Sequence, residues 1–244
     1  MRNAISSKQP KRLNPANLGV IFLLAGQSRT MQEYGHKSLL PVNGTNLINY
    51  QLKTIKNAIG AAEVWAVLGH EREKLIPVLN EIRTLENPEF ATTNTNKSIA
   101  LALRACPQSS LLFIYGDLLF NSETLGDIVE NPSRSYLVYE NNKQISYNKV
   151  GVSFDKGIAH HLTHGIEPKW GQIIYLTGQT LTTFRQICYA TESVKLPGYE
   201  LLNKSIEAGG VFYGTSPQNM LIKEVDAFKD INIFKKGKND KNNS

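Results

Sequence analysis

The segment that most constrains this chain runs from Val20 to Val42, VIFLLAGQSRTMQEYGHKSLLPV. An apolar run of strand length, Val20 to Leu24, empties into Ala25-Gly26 and then into a small polar loop, Gln27-Ser28-Arg29-Thr30. Lys37 follows, ahead of Leu-Leu-Pro-Val. A buried strand that opens into a glycine-bearing, amide-rich loop is how α/β proteins build a phosphate cradle. Backbone N–H groups converge on an anion only where no large side chain blocks them. A lysine on the same loop adds a full positive charge that can swing onto the phosphates. The segment by itself is equally compatible with an ordinary strand-to-helix connection, because glycine commonly follows a strand.

Apolar periodicity along the chain predicts alternating strands and helices. Strands are expected at 19–24, 63–68, 90–92 and 111–115, and helices at 47–58, 71–85, 97–105 and 122–130. This alternation implies an α/β fold with a doubly wound, mostly parallel sheet and right-handed crossovers. In such sheets ligands sit beyond the carboxyl ends of the strands, where both Gly26 and Asp117 fall. After Asn131 the pattern changes. Strands at 135–140, 150–154 and 172–176, helices at 179–190 and 199–207, and a last strand at 221–225 suggest a small antiparallel extension closing over the cleft. His160, His161 and His164 fall in what reads as an exposed polar loop, without Cys or carboxylates at ligand spacing, so they are expected to be surface residues.

Six segments in chain order resemble the nucleotidyltransferases of the sugar-phosphate and phosphocholine type. Leu24-Ala25-Gly26-Gln27-Ser28-Arg29-Thr30-Met31 is similar to that family's L-A-A-G-x-G-x-R-[ML], and His36-Lys37-Ser38-Leu39-Leu40-Pro41-Val42 to its P-K-x-L-x-P-V. Asn43 to Leu52, NGTNLINYQL, resembles G-x-P-L-I-x-Y-Q-L. Thr93 to Ile99, Tyr115-Gly116-Asp117 and Glu224 to Asp230 complete the set. The resemblance spans about 18–234 and implies a Rossmann-like nucleotide-diphospho-sugar transferase (GT-A-type) fold, with the antiparallel extension on the acceptor side. It also implies transfer of an NMP group from an NTP to a small phosphorylated acceptor, a sugar 1-phosphate or phosphocholine-like, with release of pyrophosphate.

That reaction builds charge on the leaving group and around the α-phosphorus, so the catalyst must supply alignment and positive charge. The resemblance assigns the catalytic cations to Lys37 and Arg29. It lays the nucleotide along Leu24, Ala25, Gly26, Gln27, Ser28 and Gly116, with Asn94, Asn96 and Ser98 near the base, though these three are equally suited to a turn or helix cap. Asp117 and Asp226, each after an apolar strand, are candidate Mg²⁺ ligands, since Mg²⁺ takes one or two carboxylates plus substrate oxygens and water. Either aspartate could instead cap a helix or a turn. Lys149, Glu167 and Glu200 match family positions near the acceptor, though a lone lysine between strands can equally be a solvated charge.

Three positions depart from the family pattern. Thr30 stands where the signature has arginine, Ser28 replaces the second loop glycine, and His36 replaces the proline before Lys37, which is expected to loosen the geometry holding that lysine. These departures leave open a second class of function, a diverged non-catalytic member that binds nucleotide or a partner. A glycosyltransferase on a similar sheet would usually carry a D-x-D metal motif, and Tyr115-Gly116-Asp117 does not match it.

Bulk properties fit one domain. The 244 residues are 41% hydrophobic, enough for a single large core. No apolar run approaches the roughly 18–20 residues that cross a bilayer, and the N-terminus lacks the apolar core of a secretory signal. Cys106 and Cys188 read as small core residues of a reducing compartment. A cytoplasmic location is expected. The net charge of +6 is concentrated at the ends: residues 1–17 carry +4 and residues 235–244 carry +3, leaving the body at −1. The expected organisation is a basic flexible tail at 1–17, a domain at 18–234 and a second basic flexible tail at 235–244. Neither tail has the aromatic interleaving of a nucleic-acid binder.

Overall fold

The computed structural model describes residues 12–27, 35–80, 82–141, 145–226 and 230. From the N-terminus, β1 (Leu18–Leu24) leads to a two-residue hairpin, β2 (Pro41–Val42) and β3 (Thr45–Asn46), and then to α1 (Leu47–Ile59). Next come β4 (Glu63–Leu68), a short α2 (Arg72–Leu75), β5 (Arg83–Glu86) and α3 (Thr95–Ala105). β6 (Ser110–Tyr115), β7 (Leu118–Phe120) and α4 (Gly126–Glu130) follow. The C-terminal part holds β8 (Ser135–Glu140), β9 (Val150–Asp155), β10 (Ile158–His164), β11 (Lys169–Thr177), α5 (Gly178–Tyr189), α6 (Gly198–Glu207), β12 (Phe212–Thr215) and β13 (Ile222–Glu224).

Nine of these strands form one mixed sheet in the order β5-β4-β1-β6-β11-β8-β12-β10-β9. β1 sits between β4 and β6, parallel to both, and every residue except the half-buried Leu23 is buried. A strand covered on both faces needs a continuous apolar run, which is what Leu18–Leu24 supplies. Leu18, Val20, Phe22 and Leu24 join one core layer with Ile48 and Ile55 of α1 and Ile128 of α4. Ile21 joins the other, with Ile99 and Leu103 of α3, Phe184 of α5 and Leu201 of α6. Each fully buried large apolar side chain stabilises the fold by about 1.5–3 kcal/mol relative to exposure.

The parallel expectation holds for β5, β4, β1 and β6. β11 then enters antiparallel to both β6 and β8, and β9 and β10 form an antiparallel pair beyond β12. The helix expected over 71–85 is replaced by α2, a 3-10 turn at Ile76–Val78 and the edge strand β5. Pro77 lies in that turn and cannot donate the backbone bond that a continuing helix needs. No strand forms at 90–92; this stretch turns instead, with the Thr92 and Thr93 N–H groups donating to Glu89 O at 3.1 and 3.0 Å. His160, His161 and His164 lie in strand β10, not in a loop. Its buried Ala159 and Leu162 are offset by a bulge that blurs the alternation. Residues 12–17, grouped with the N-terminal tail by the sequence, lie against the domain: the Leu13 N–H donates to Val129 O at 3.1 Å, and Asn14 caps a turn at Pro15–Asn17. Residues 1–11 and 231–244 lie outside the described residues.

The ends of β1 and β6 approach closely at Gly116. Its N–H donates to Leu23 O at 3.2 Å, and a Cβ there would overlap Leu24 Cδ2 and press on Ser38 Oγ at 3.0 Å. Gly116→Ala is expected to lower stability by about 1–3 kcal/mol, read as a reduced urea midpoint at unchanged slope.

Candidate active site

Gly116 and Asp117 form the hinge between β6 and β7, and three side-chain contacts fix it. Ser38 Oγ donates to Gly116 O at 3.0 Å. Gln51, fully buried in α1, donates through Nε2 to Leu118 O at 2.6 Å and Tyr115 O at 3.4 Å. An amide buried on an apolar helix face needs such partners, and here they are the carbonyls on either side of the hinge. β7 then pairs antiparallel with β13, and the Val225 N–H donates to Asp117 O at 2.8 Å. That pairing carries Asp226 to the same cleft. The Asp226 N–H is held in turn by Asp230 Oδ2 at 3.0 Å, so Asp230 accepts the backbone bond and the Asp226 carboxylate stays free for the cleft.

Lys37 occupies the first turn after His36. Its Nζ lies 3.4 Å from Asp117 Oδ2 and 3.4 Å from Asp226 Oδ1. His36 is buried, contacts Leu24 O through Nε2 at 2.9 Å and accepts the Ser38 N–H at Nδ1, 3.2 Å away. That pair of bonds fixes the tautomer: Nε2 carries the proton and Nδ1 is bare. Burial pushes the imidazole below its ordinary value, more than the Leu24 carbonyl and Glu71 raise it. The substitution at 36 therefore tethers the Lys37 turn to the end of β1. The expected loosening is absent.

Beyond Asp226 the charges alternate. Lys149 Nζ is 2.6 Å from Asp226 Oδ2 and 2.7 Å from Glu224 Oε2. Lys169 lies 2.5 Å from Glu140 Oε1 and 3.9 Å from Glu224 Oε2. Burial pushes the Asp117 carboxyl up despite Lys37. Burial acts on Asp226 in the same direction, but its bond to Lys149 and the charges of Lys149 and Lys37 outweigh it, holding this carboxyl below the usual range. Lys149 is raised, its carboxylate partners outweighing desolvation. The Tyr115 phenol is driven far up by burial and stays neutral.

Three adjoining cavities share Tyr115. The first, about 310 Å³, is lined by Leu24, Gly26, Gln27, His36, Lys37, Gly116, Asp117 and Asp226. The second, about 170 Å³, lies at the N-terminus of α3 and is lined by Ala25, Gly26, Asn94 and Ser98. The third, about 440 Å³, is lined by Lys149, Lys169, Trp170, Gln172, Tyr199 and Glu224.

The structure thus brings together Leu24, Ala25, Gly26, Gln27, Lys37, Asn94, Ser98, Gly116, Asp117, Lys149 and Asp226. Ser28, Arg29 and Thr30 lie outside the described residues. Asn96 does not reach a cavity with this group; its amide is buried and donates to Ser193 O at 2.7 Å and Cys188 O at 3.2 Å, bracing α3 against the end of α5. Glu167 is exposed and Glu200 accepts from the Tyr199 hydroxyl at 3.1 Å; neither lines the third cavity. Sequence reasoning missed Tyr115, Lys169, Gln172 and Glu224 as lining residues. Tyr115 and Glu224 carried a signal, the first directly before Gly116-Asp117 and the second at the head of the resembling segment Glu224 to Asp230.

The donor set suits a hard cation such as Mg²⁺, because Asp117 and Asp226 offer carboxylate oxygens around one point near Lys37. Among the described residues no cluster of three or more His, Cys, Asp or Glu side chains could cage a metal. Two carboxylates leave the remaining positions to substrate oxygens and water, as Mg²⁺ prefers.

A mixed sheet with its polar chemistry gathered at the strand ends, and helices packed on its core, is an α/β fold that solved nucleotidyltransferases share. Residues 20–183, more than half of the sequence, match the MobA-like NTP transferase domain, and the chain belongs to this family. Over 123 residues, 46% of its length, it is 32% identical to the bifunctional protein GlmU of Leifsonia xyli subsp. xyli, of which the match spans only 24%. Among solved structures it is similar to CTP:phosphocholine cytidylyltransferase from Streptococcus pneumoniae, with a TM-score of 0.70 at 17% identity over 90% of this chain and 98% of that one. The inositol-1-phosphate CTP transferase from T. maritima gives 0.71 at 16% identity over 89% and 92%. At these identities the likeness is one of fold. No helix among the described residues is long and apolar enough to cross a membrane.

Protonating His36 would place a donor against the Ser38 N–H. Because its folded value lies below the ordinary 6.5, its stabilisation is fully present above about pH 6.5 and is lost as pH falls through the folded value. The wild-type Tm is expected to fall more steeply below pH 6.5 than that of His36→Gln. Superimposable Tm–pH slopes in differential scanning fluorimetry would contradict this.

Proposed function

We propose that this chain is an Mg²⁺-dependent nucleotidyltransferase that moves an NMP group from an NTP to a small phosphorylated acceptor, a sugar 1-phosphate or a phosphocholine-like molecule. An acceptor phosphate oxygen bonds to the α-phosphorus, the bond from that phosphorus to the bridging oxygen breaks, and pyrophosphate leaves with the electron pair. The observation that carries the reading is the meeting of Lys37, Asp117 and Asp226 in one cleft from three different strand-end segments. Family membership supports the reaction class.

The chain's own groups divide the work. Ala25, Gly26 and Gln27 present backbone at the end of β1, where the triphosphate is cradled, with Ser28 and Arg29 continuing that loop in sequence. Lys37 neutralises the charge that develops on the departing pyrophosphate, and its two carboxylate neighbours aim it at the cleft. Asn94, Ser98 and the N-terminus of α3 line the cavity assigned to the base. Bound at Asp117 and Asp226, Mg²⁺ would supply Lewis-acid charge to the phosphate oxygens. Lys149, at the junction of the first and third cavities, holds the acceptor phosphate in line. The antiparallel strands β9, β10 and β11 form the acceptor side. The functional domain is placed at 18–234 between two basic tails, and its setting as cytoplasmic.

The non-catalytic alternative drew its support from the departures at 30 and 36, and the second of these is a tether. Lys37→Ala is expected to lower NTP- and acceptor-dependent pyrophosphate release by about 10²–10³-fold with the circular dichroism spectrum unchanged. Asp226→Asn is expected to raise the Mg²⁺ concentration for half-maximal rate. Nucleotide binding without pyrophosphate release from any of four NTPs, across a panel of sugar 1-phosphates and phosphocholine, would remove the catalytic reading.

A further inference from the structure

β11 is interrupted where it passes the third cavity. Trp170 pairs with Tyr139 and Ile174 with Leu137, so three residues of β11 lie opposite Val138 alone. A bulge of this kind bends a strand and re-aims its side chains. Within it Gly171 passes so close that a Cβ would sit 3.0 Å from Val138 O, and Gln172 adopts φ +58°. Glutamine is rarely found in that left-handed region, and the conformation costs free energy that the surrounding structure must offset; such strain clusters at functional sites. The half-buried Gln172 lines the cavity beside Lys149, Lys169, Trp170 and Tyr199, and its amide has no hydrogen-bond partner among the described residues.

We infer that Gln172 is the specificity-determining residue for the acceptor, held on this bulge to read hydroxyl groups of a polyol phosphate. The inference rests on the transferase reading and narrows its acceptor. An amide offers a donor and an acceptor together, which matches a hydroxyl on both counts. Two lysines in the same cavity suit the phosphate of such a molecule. A quaternary ammonium is poorly served there. The one carboxylate among the described lining residues, Glu224, is already held by Lys149 at 2.7 Å and faces Lys169 at 3.9 Å, so no free anion remains to meet such a cation. The volume of about 440 Å³ lies within the ordinary range for a small-molecule site.

The left-handed backbone makes the test selective, because glycine adopts it without cost. Gln172→Gly is expected to raise Tm by about 2–4 °C while weakening the polyol acceptor about tenfold in KM with little change in kcat. Gln172→Asn, which tolerates the same backbone and keeps the amide, should recover part of the loss. Glucose 1-phosphate, inositol 1-phosphate and phosphocholine are the probes, read by pyrophosphate release and by calorimetric binding in the presence of Mg²⁺ and a non-hydrolysable NTP. A preference for phosphocholine, an affinity for the sugar or inositol phosphate unchanged in Gln172→Gly, or failure of both polyol phosphates to bind would each overturn the inference. Binding that depends on Gln172 without pyrophosphate release would uphold it and count against the transferase reading alone.

Discussion

Uncompensated charge is the constraint around which this cleft is built. Asp117, Asp226, Glu224 and Glu140 converge in a half-buried groove, and carboxylates brought that close resist ionising together. Lys37, Lys149 and Lys169 are interleaved between them, each within reach of two acids. The result is an alternating row rather than an acidic patch, with the raised Asp117 at the end where a single lysine is shared between two acids. Partly buried ion pairs lose to desolvation much of what they gain in attraction, so the row is better understood as a device for holding cations and carboxylates at fixed places along the cleft. The lysines that neighbour these carboxylates are also the groups that bound phosphates would draw on in the proposed reaction.

The carboxyl-end geometry of β1 and β6 was legible in the sequence because it rests on local chemistry. A short apolar run bounded by turn residues fits a strand covered on both faces, and Gly26 and Gly116 mark where each one ends. The helices α1, α3, α5 and α6 were legible for the same reason, their apolar faces repeating at helical spacing. What could not be read is what depends on pairing at a distance. β7 is three residues long and becomes a strand only because β13 lies beside it. β5 carries a helical apolar spacing and joins the sheet because Pro77 stops the preceding turn and β4 offers a free parallel edge. The bulge in β11 is visible only against its partner β8.

The same division explains which site residues were found. Lys37, Asp117 and Asp226 sit in segments with a recognisable local pattern, and the fold gathers them as expected. Glu167 and Glu200 were assigned by position in a resembling motif, but Glu167 lies exposed ahead of β11 and Glu200 sits in the first turn of α6 accepting from the Tyr199 hydroxyl, so neither lines the cleft. Their neighbours Lys169, Trp170 and Tyr199 face it instead. Asn96 shows the opposite failure: an amide that looks suited to reading a base is consumed by two backbone carbonyls at the end of α5. His36 shows that a departure from a motif need not weaken it. Proline stiffens a turn by fixing its own φ, whereas the imidazole does so by bonding Leu24 O on one side and the Ser38 N–H on the other.

The region that matches the family ends at residue 183, within α5, yet the cleft is not complete there. Gly198 and Tyr199 of α6, Glu224 of β13 and Asp226 all lie beyond it, and they supply the far wall of the third cavity and the second carboxylate beside Lys37. Gly198 is needed at that wall because a Cβ would strike the Tyr115 hydroxyl. Tyr115 in turn borders all three cavities, and its buried, neutral phenol adds polarity at their meeting point without adding charge. The β1 loop, Lys37 and Asp117 come from the first half of the chain, whereas Asp226 and most of the cavity proposed for the acceptor come from segments that return to it late. A change in the acceptor could then be accommodated by altering β11, α6 and β13, with the β1 loop and Lys37 left as they are.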